Sequence, residues 1–185
     1  HALAIYGRAA EWYERFARQY PGEDGSECTE AERTANTCAV ASDALQNAVF
    51  FRLGLGEEDQ AVSDARLYER SYRRRMPRET AQVVFSLGSI YERQNDWARV
   101  FRHYREWLRQ YGRRALPHEV IRANVQMGLA EWRLDRKDQA RRFFETALRT
   151  WTRNGAQSIA ELEGVSDADR ALYLVRAKDA TSEAI

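Results

Sequence analysis

The residues best suited to chemistry are two cysteines and three histidines, and their spacing argues against a catalytic or metal centre. His1, His103 and His118 are far apart in the sequence. Cys28 and Cys38 have nine residues between them, which is too wide for a CxxC redox pair, and no second cysteine pair completes a zinc site. The chain also lacks a GxSxG motif, a phosphate-binding glycine loop and an HExxH motif. We therefore expect no enzymatic activity, no metal and no cofactor.

Both cysteines lie in a polar segment, residues 22–38, that interrupts an otherwise helical pattern. A free cysteine usually behaves as a small buried hydrophobe, whereas Cys28 and Cys38 are surrounded by Glu, Thr, Ser and Asn. This setting favours a Cys28–Cys38 disulfide over two exposed thiols, and a disulfide indicates an oxidising compartment. We expect an extracytoplasmic protein, in the periplasm or associated with an outer membrane; free thiols would instead indicate the cytoplasm.

Composition narrows the class of protein. The 185 residues include 29 Lys and Arg against 28 Asp and Glu, so the net charge of +1 excludes a bulk polyelectrolyte. The hydrophobic fraction of 44% is enough to order a chain of this length. No apolar run approaches the roughly 18 residues of a membrane-spanning helix, so we expect no span. Because the chain begins at His1 in helix-like sequence, we expect an excised or processed product.

The elements that position these residues are predicted to be helices. Apolar residues recur at three- and four-residue spacing, as in the run Trp97, Phe101, Tyr104, Leu108 and Tyr111. Ten Gly and three Pro supply too few turns for a β-sandwich, and no convincing period-2 strand is present. The sequence therefore predicts an all-α protein.

A longer period of 39 to 40 residues is superimposed on the helical one. Met76-Pro77-Arg78-Glu79 and Leu116-Pro117-His118-Glu119 each begin a helix, with proline in the first turn and glutamate at the positive end of the helix dipole. At the same offset, Leu87-Gly88 matches Met127-Gly128. The period predicts three helix pairs, joined by turns near Gly56, Asn95 and Asp135: 41–54/58–75, 78–93/96–112 and 118–133/137–153.

At these residues the chain resembles the tetratricopeptide repeat (TPR) family, whose unit is a helical hairpin with Leu-Gly and Tyr on its first helix. Leu87-Gly88-x-x-Tyr91 gives the closest match for that helix. The aromatic segment from Ala9 to Pro21 is similar to a second helix in TPR arrays of bacterial envelope proteins. The resemblance covers about residues 2–154 and implies a right-handed superhelical array of antiparallel helix hairpins, a TPR-like α-solenoid. The spacing departs from the usual unit of about 34 residues.

This resemblance divides the chain into six parts. They are 1–21, the second helix of a truncated first repeat; 22–38, the cysteine-containing loop; 39–76, 77–115 and 116–154, three repeats; and 155–185, a linker and a helix that either caps the array or begins another repeat.

By the same resemblance, the first helices of the repeats bind a peptide or a helix of a partner protein. Aromatic and Arg side chains are typical anchors of such interfaces. The candidates are Phe50, Phe85, Arg93, Arg122, Trp132 and Arg133. In the alternative interpretation, the three aromatic side chains pack between helices.

Charge is distributed unevenly along the chain. Residues 66–114 carry 13 Arg and five acids, whereas residues 1–65 carry five Arg and 12 acids. Most aromatic residues fall on the packing period, so the sequence does not favour nucleic-acid binding. We expect a non-enzymatic protein-interaction scaffold in a larger complex of a bacterial envelope. The alternative is a cytoplasmic regulatory helical-repeat domain whose Arg-rich middle binds acidic partners or nucleic acid.

Overall fold

A computed structural model of the chain describes residues 2–20, 28–31 and 40–160, and every regular element in these ranges is an α-helix. The all-α prediction is therefore confirmed. Within the described residues, no helix combines the length and apolar character that crossing a membrane requires. The helices are α1 (Ala2–Gln19), α2 (Ala41–Leu55), α3 (Glu58–Tyr72), α4 (Pro77–Ser86), α5 (Gly88–Arg93), α6 (Trp97–Tyr111), α7 (Pro117–Arg133) and α8 (Lys137–Ala160).

The chain forms two compact units that meet at the Ile90–Tyr91 bond. In the N-terminal unit, α2 packs against both α1 and α3, and α4 packs against α3. In the C-terminal unit, α7 packs against both α6 and α8. Because the boundary falls within the predicted repeat 77–115, the division into three repeats stays a prediction.

The turns between paired helices recur with the predicted period. Gly56, Asn95 and Asp135 have positive φ values of 78°, 54° and 59°, the left-handed conformation that ends many helices. In each turn the following N–H donates to the carbonyl five residues earlier: Glu57 to Arg52 (2.9 Å), Asp96 to Tyr91 (3.0 Å) and Arg136 to Glu131 (2.9 Å). The predicted turn positions are therefore confirmed.

Two helix boundaries differ from the prediction. The single helix expected over 78–93 is divided at Leu87, where Leu87 N donates to Val84 O and Ile90 N donates to Leu87 O in tighter three-residue turns. The last helix, expected to end at 153, continues through Gly155 to Ala160. A single glycine costs a helix only about 1 kcal/mol, which is too little to end it. The predicted linker from 155 onward is therefore wrong at its start.

The signature residues of the predicted repeats form the core of each unit. Val100 and Ala140 are fully buried, and Tyr104 and Phe144 are nearly so. The backbone at Gly128 lies so close to Phe144 that a Cβ atom placed there would be 2.5 Å from Cε1 of the ring. Glycine at this position lets α7 and α8 approach each other.

Candidate partner-binding surface

The predicted binding residues differ in their exposure. Phe85 on α4 is only 8% exposed, so it packs in the N-terminal unit, as the alternative interpretation held. Phe50 on α2 is 38% exposed and Trp132 on α7 is 41% exposed. Arg122 and Arg133 on α7 and Arg93 at the end of α5 are all exposed. Phe85 is therefore not part of the candidate binding surface.

In the C-terminal unit, one side of α7 presents a continuous stripe of side chains. Arg122, Gln126, Leu129 and Arg133 lie at i, i+4, i+7 and i+11, a spacing that aligns side chains on one helix face, and Trp132 borders them. We call these five residues the α7 stripe. The adjoining face of α7 packs into the core, where Ile121, Val125 and Ala147 join it to α8 and the partly buried Leu129 packs against the same cluster.

Side chains from neighbouring helices hold the α7 stripe in place. Gln126 Nε2 donates to Glu92 Oε2 at 3.3 Å, which brings the end of α5 to the middle of α7. The hydroxyl of Tyr104 on α6 donates to the other oxygen of Glu92. The guanidinium of Arg133 lies 5.6 Å from the centre of the Trp97 ring, a cation–π contact with α6. These contacts place Glu92, the residue before Arg93, against the middle of α7.

The α7 stripe is edged by positive charge. Lys137, at the start of α8, places Nζ 5.6 Å from the centre of the Trp132 ring. Lys137 is therefore a cationic neighbour of the exposed indole, and the exposed Arg122 and Arg133 lie on the same helix as Trp132. Sequence reasoning missed Trp97 and Lys137, because both contacts join different helices and neither residue carries a repeat signature.

A buried ion network in the N-terminal unit was also missed. Arg52 Nε lies 2.6 Å from Glu14 Oε1, and Arg52 also bonds Glu57 across the hairpin turn. The neighbouring Asp64 is buried, and Arg18 is 3.9 Å from its Oδ1. Burial and the nearby Glu14 carboxylate raise the pKa of Asp64 to about 7, against the opposing effect of the two guanidinium groups. The network links α1, α2 and α3, and we assign it to fold stability.

The described residues contain no group of three His, Cys, Asp or Glu side chains placed to hold a metal ion. His103 packs against two aromatic rings, tilted to Tyr91 and edge-on to Tyr104, with ring centres 5.7 and 5.1 Å away. It therefore contributes to packing. Cys38 lies outside the described residues, so the Cys28–Cys38 disulfide stays a prediction.

Comparisons with known proteins support the fold. No protein-family model matches the sequence, and no curated protein matches it. The crystal structure of BtubC (BKLC) from P. vanneervenii is similar with a TM-score of 0.56 and 17% identity, over 98% of this chain and 72% of that one. PilF of Pseudomonas aeruginosa gives a TM-score of 0.48 and 17% identity, over 97% and 78%. The helix hairpins, their recurring turns and the likeness to BtubC show a TPR-like helical repeat fold.

Proposed function

We propose that this protein is a non-enzymatic scaffold that binds a segment of a protein partner through the α7 stripe. One observation carries the proposal: Trp132, a large aromatic side chain, is 41% exposed at the C-terminal end of α7. An exposed tryptophan beside arginines is the composition of an interface anchor. The TPR-like fold supports this class of function, because helical repeat arrays present extended binding surfaces.

The chemistry of the α7 stripe determines what the partner must offer. Trp132 supplies apolar area, and because its side chain is 41% exposed, covering it removes on the order of 100 Å² from water. Arg122, Arg133 and Lys137 supply positive charge, and guanidinium groups bind carboxylates with two parallel hydrogen bonds. The partner segment therefore has an apolar side and an acidic side.

Photo-cross-linking tests whether the α7 stripe meets a partner. The photoreactive residue p-benzoylphenylalanine, which is aromatic like tryptophan, is placed at position 132, and a matched control places it at the exposed Thr152 on α8. We expect a protein adduct from position 132 in cells of the source organism and none from position 152. Adducts from both positions, or from neither, would contradict the proposal.

We further propose that the scaffold works outside the cytoplasm, in a bacterial envelope complex. The proposal rests on the two cysteines in a polar segment, where Cys28 is partly buried and Cys38 lies outside the described residues. Titration of thiols in denaturant, without reductant, tests it on protein isolated from its native source. We expect no free thiol. Two free thiols would favour the cytoplasmic alternative.

The cytoplasmic alternative has one observation in its favour, the exposed face of α6. Arg102 and Arg105 are exposed there and make no ion pair among the described residues. The guanidinium of Arg105 instead lies 5.4 Å from the centre of the Phe101 ring. Such a face attracts an acidic protein or a nucleic acid, with an affinity that falls as salt rises. Binding of a single-stranded oligonucleotide that Arg102→Glu with Arg105→Glu abolishes would support this alternative.

A further inference from the structure

Two carboxylates that have no cationic partner in the described part of the chain lie where α2 and α4 meet. Asp43 is in the first turn of α2 and Glu79 is in the first turn of α4, and these two helices pack against each other. Asp43 is exposed and Glu79 is partly buried. Neither makes an ion pair or a hydrogen bond with another described residue. We call Asp43 and Glu79 the carboxylate pair.

The two carboxylates are close enough to repel each other. Partial burial and the Glu79 carboxylate raise the pKa of Asp43 above its usual value. Groups perturbed in this way are concentrated at functional sites. A cation placed between Asp43 and Glu79 would replace one repulsion by two attractions. The carboxylate pair therefore favours a positively charged ligand.

A buried hydroxyl group lies within electrostatic reach of the carboxylate pair. Tyr68 on α3 is fully buried, and its hydroxyl has no hydrogen-bond partner among the described residues. Burial, the Glu79 carboxylate and the Asp43 carboxylate all raise the pKa of Tyr68. Buried polar groups are nearly always hydrogen-bonded, so this exception needs an explanation. A ligand that draws the two carboxylates together supplies one, because a carboxylate can then accept from the hydroxyl.

The exposed face of α2 continues from the carboxylate pair to an aromatic side chain. Asp43, Asn47 and Phe50 are all exposed and lie at i, i+4 and i+7, a spacing that aligns them on one helix face. At 1.5 Å per residue, Phe50 is about 10 Å from Asp43 along the helix. An extended chain covers that distance in about three residues. The amide of Asn47, between them, offers both a donor and an acceptor to the backbone of such a chain.

The carboxylate pair is at an internal junction of the described chain. Helix α1 precedes α2, and α5 follows α4. Helix α3 packs against both α2 and α4. Helices on either side in the sequence therefore hold both carboxylate-bearing helices.

We infer that the carboxylate pair binds an arginine of an extended segment from a partner protein, and that an apolar residue three positions away packs against Phe50. Arginine fits because its planar guanidinium has five N–H donors and can bond two carboxylates at once. A metal ion fits less well, because the described residues include no group of three side chains suited to hold one. This surface belongs to the N-terminal unit, and its charge is opposite to that of the α7 stripe.

Short capped peptides test the inference. Each carries an arginine and a leucine three positions apart, in either order, and a matched peptide replaces arginine by citrulline, which is uncharged and nearly the same shape. NMR titrations of the isotope-labelled full chain measure the affinities at about 50 and 300 mM salt, between which the Debye length falls from about 14 to 6 Å. At low salt, we expect the arginine peptide of one order to bind about tenfold or more tightly than its citrulline counterpart. This ratio should fall at high salt.

Substitutions locate the site. Asp43→Asn combined with Glu79→Gln should lower the affinity for the arginine peptide to that for the citrulline peptide. Asp59→Asn is the matched control, because Asp59 is also an exposed carboxylate in the first turn of a helix, and it should leave both affinities unchanged. Phe50→Ser should weaken both peptides by the same factor, because each loses its leucine contact. Far-UV circular dichroism melts verify that the variants fold.

Tyr68→Phe separates a binding role from a structural one. The hydroxyl has no partner in the free chain, so its removal breaks no hydrogen bond and the melting temperature should stay the same or rise. Affinity for the arginine peptide should nevertheless fall about threefold or more. A lower melting temperature with unchanged affinity would assign the hydroxyl to the fold alone and contradict the inferred site.

Each other contrary result overturns the inference in a distinct way. Equal affinity for the arginine and citrulline peptides would show that the carboxylate pair binds no cation, and binding that survives the double substitution would place the peptide elsewhere. A melting temperature that about 1 mM calcium chloride raises only when the carboxylate pair is intact would indicate a metal site. Tighter peptide binding by Arg33→Gln would mean that this chain supplies the arginine from a segment outside the described residues. In sedimentation velocity, a dimer that the double substitution converts to a monomer would mean that a second copy supplies it.

Discussion

Replacing Gly128 by alanine tests the closest approach within the C-terminal unit. A Cβ atom at Gly128 would lie 2.5, 2.7 and 2.9 Å from the Cε1, Cδ1 and Cζ atoms of Phe144. Ordinary carbon contacts are about 3.5–4.0 Å, so all three distances are too short. Phe144 is 3% exposed, and because protein cores are close-packed its ring has little room to move aside. The added methyl group must therefore push α7 and α8 apart.

The expected change in the free energy of unfolding is the difference between two opposing effects. Inserting a methyl group into a packed core costs about 1–3 kcal/mol. Replacing glycine by alanine in a helix interior stabilises the fold by about 0.5–1 kcal/mol, because alanine loses less backbone entropy on folding. We expect Gly128→Ala to lower the free energy of unfolding by about 1–2 kcal/mol. In a chain of this size, each kcal/mol shifts the melting temperature by about 2–4 °C.

Urea titrations monitored by far-UV circular dichroism measure this loss of stability. Two further variants test whether it arises from the contact with Phe144. Gly54 lies on α2, and a methyl group added there would have nothing within 4 Å, so Gly54→Ala should be neutral or slightly stabilising. Combining Gly128→Ala with Phe144→Leu should recover about 1 kcal/mol relative to additivity, because the smaller side chain leaves room. A stabilising Gly128→Ala without coupling to position 144 would refute the packing of α7 against α8.

Three further predictions concern the ion network and the proposed interface. Arg52→Met leaves the partly buried Glu14 with only the more distant Arg18, at 4.0 Å, and should lower the free energy of unfolding by up to about 3 kcal/mol in urea titrations. Native Asp64 keeps its proton up to about pH 7, whereas an unfolded aspartate releases it near pH 4, so stability should fall as the pH rises from about 4 to 7 and then level off. Asp64→Asn should flatten that profile in melts recorded across this range; an unchanged slope would place the titration elsewhere. With a captured partner, surface plasmon resonance should show faster dissociation for Trp132→Ala and slower association for Arg133→Glu, and wild-type kinetics in both would exclude the α7 stripe.

Features governed by local interactions could be predicted from the sequence. Pro77 and Pro117 begin α4 and α7, because proline lacks only an N–H that the first helical turn does not use. The turns at Gly56, Asn95 and Asp135 combine residue types that tolerate a positive φ with a constant spacing. The period also predicted that Tyr104 and Phe144 fill the cores of their hairpins.

Features that depend on competition between weak interactions could not be predicted from the sequence. The break at Leu87 accompanies hydroxyl bonds from Ser86 to Val83 O and from Ser89 to Ser86 O, both 2.8 Å, which compete with regular helix bonding. Serine occurs in many unbroken helices, so its presence alone does not predict a break. The exposure of Trp12 was missed for a similar reason, because an apolar stripe at helical spacing normally indicates a core face.

Comparing positions one period apart explains which binding residues were misjudged. Phe85 corresponds to Val125, and both are buried, whereas Trp132 corresponds to Glu92 and remains exposed. A position that is apolar in both hairpins therefore belongs to the core. Comparing the two hairpin sequences could have excluded Phe85 from the predicted binding residues. It favours Trp132 as a surface residue without any structure.

The same comparison fails at the ends of the first helices, and the reason is electrostatic. Arg52 and Glu131 occupy equivalent positions and are polar, yet both are buried. Arg52 bonds Glu57, and Glu131 lies 3.4 Å from Arg136, so the two hairpins are closed by ion pairs of opposite polarity at the same five-residue spacing. Because both charges of the pair are exchanged between the two hairpins, the attraction is the same in each. The equivalent positions, however, carry residues of opposite charge and do not resemble each other. Burial here depends on a pair of residues, and a pattern read one position at a time misses it.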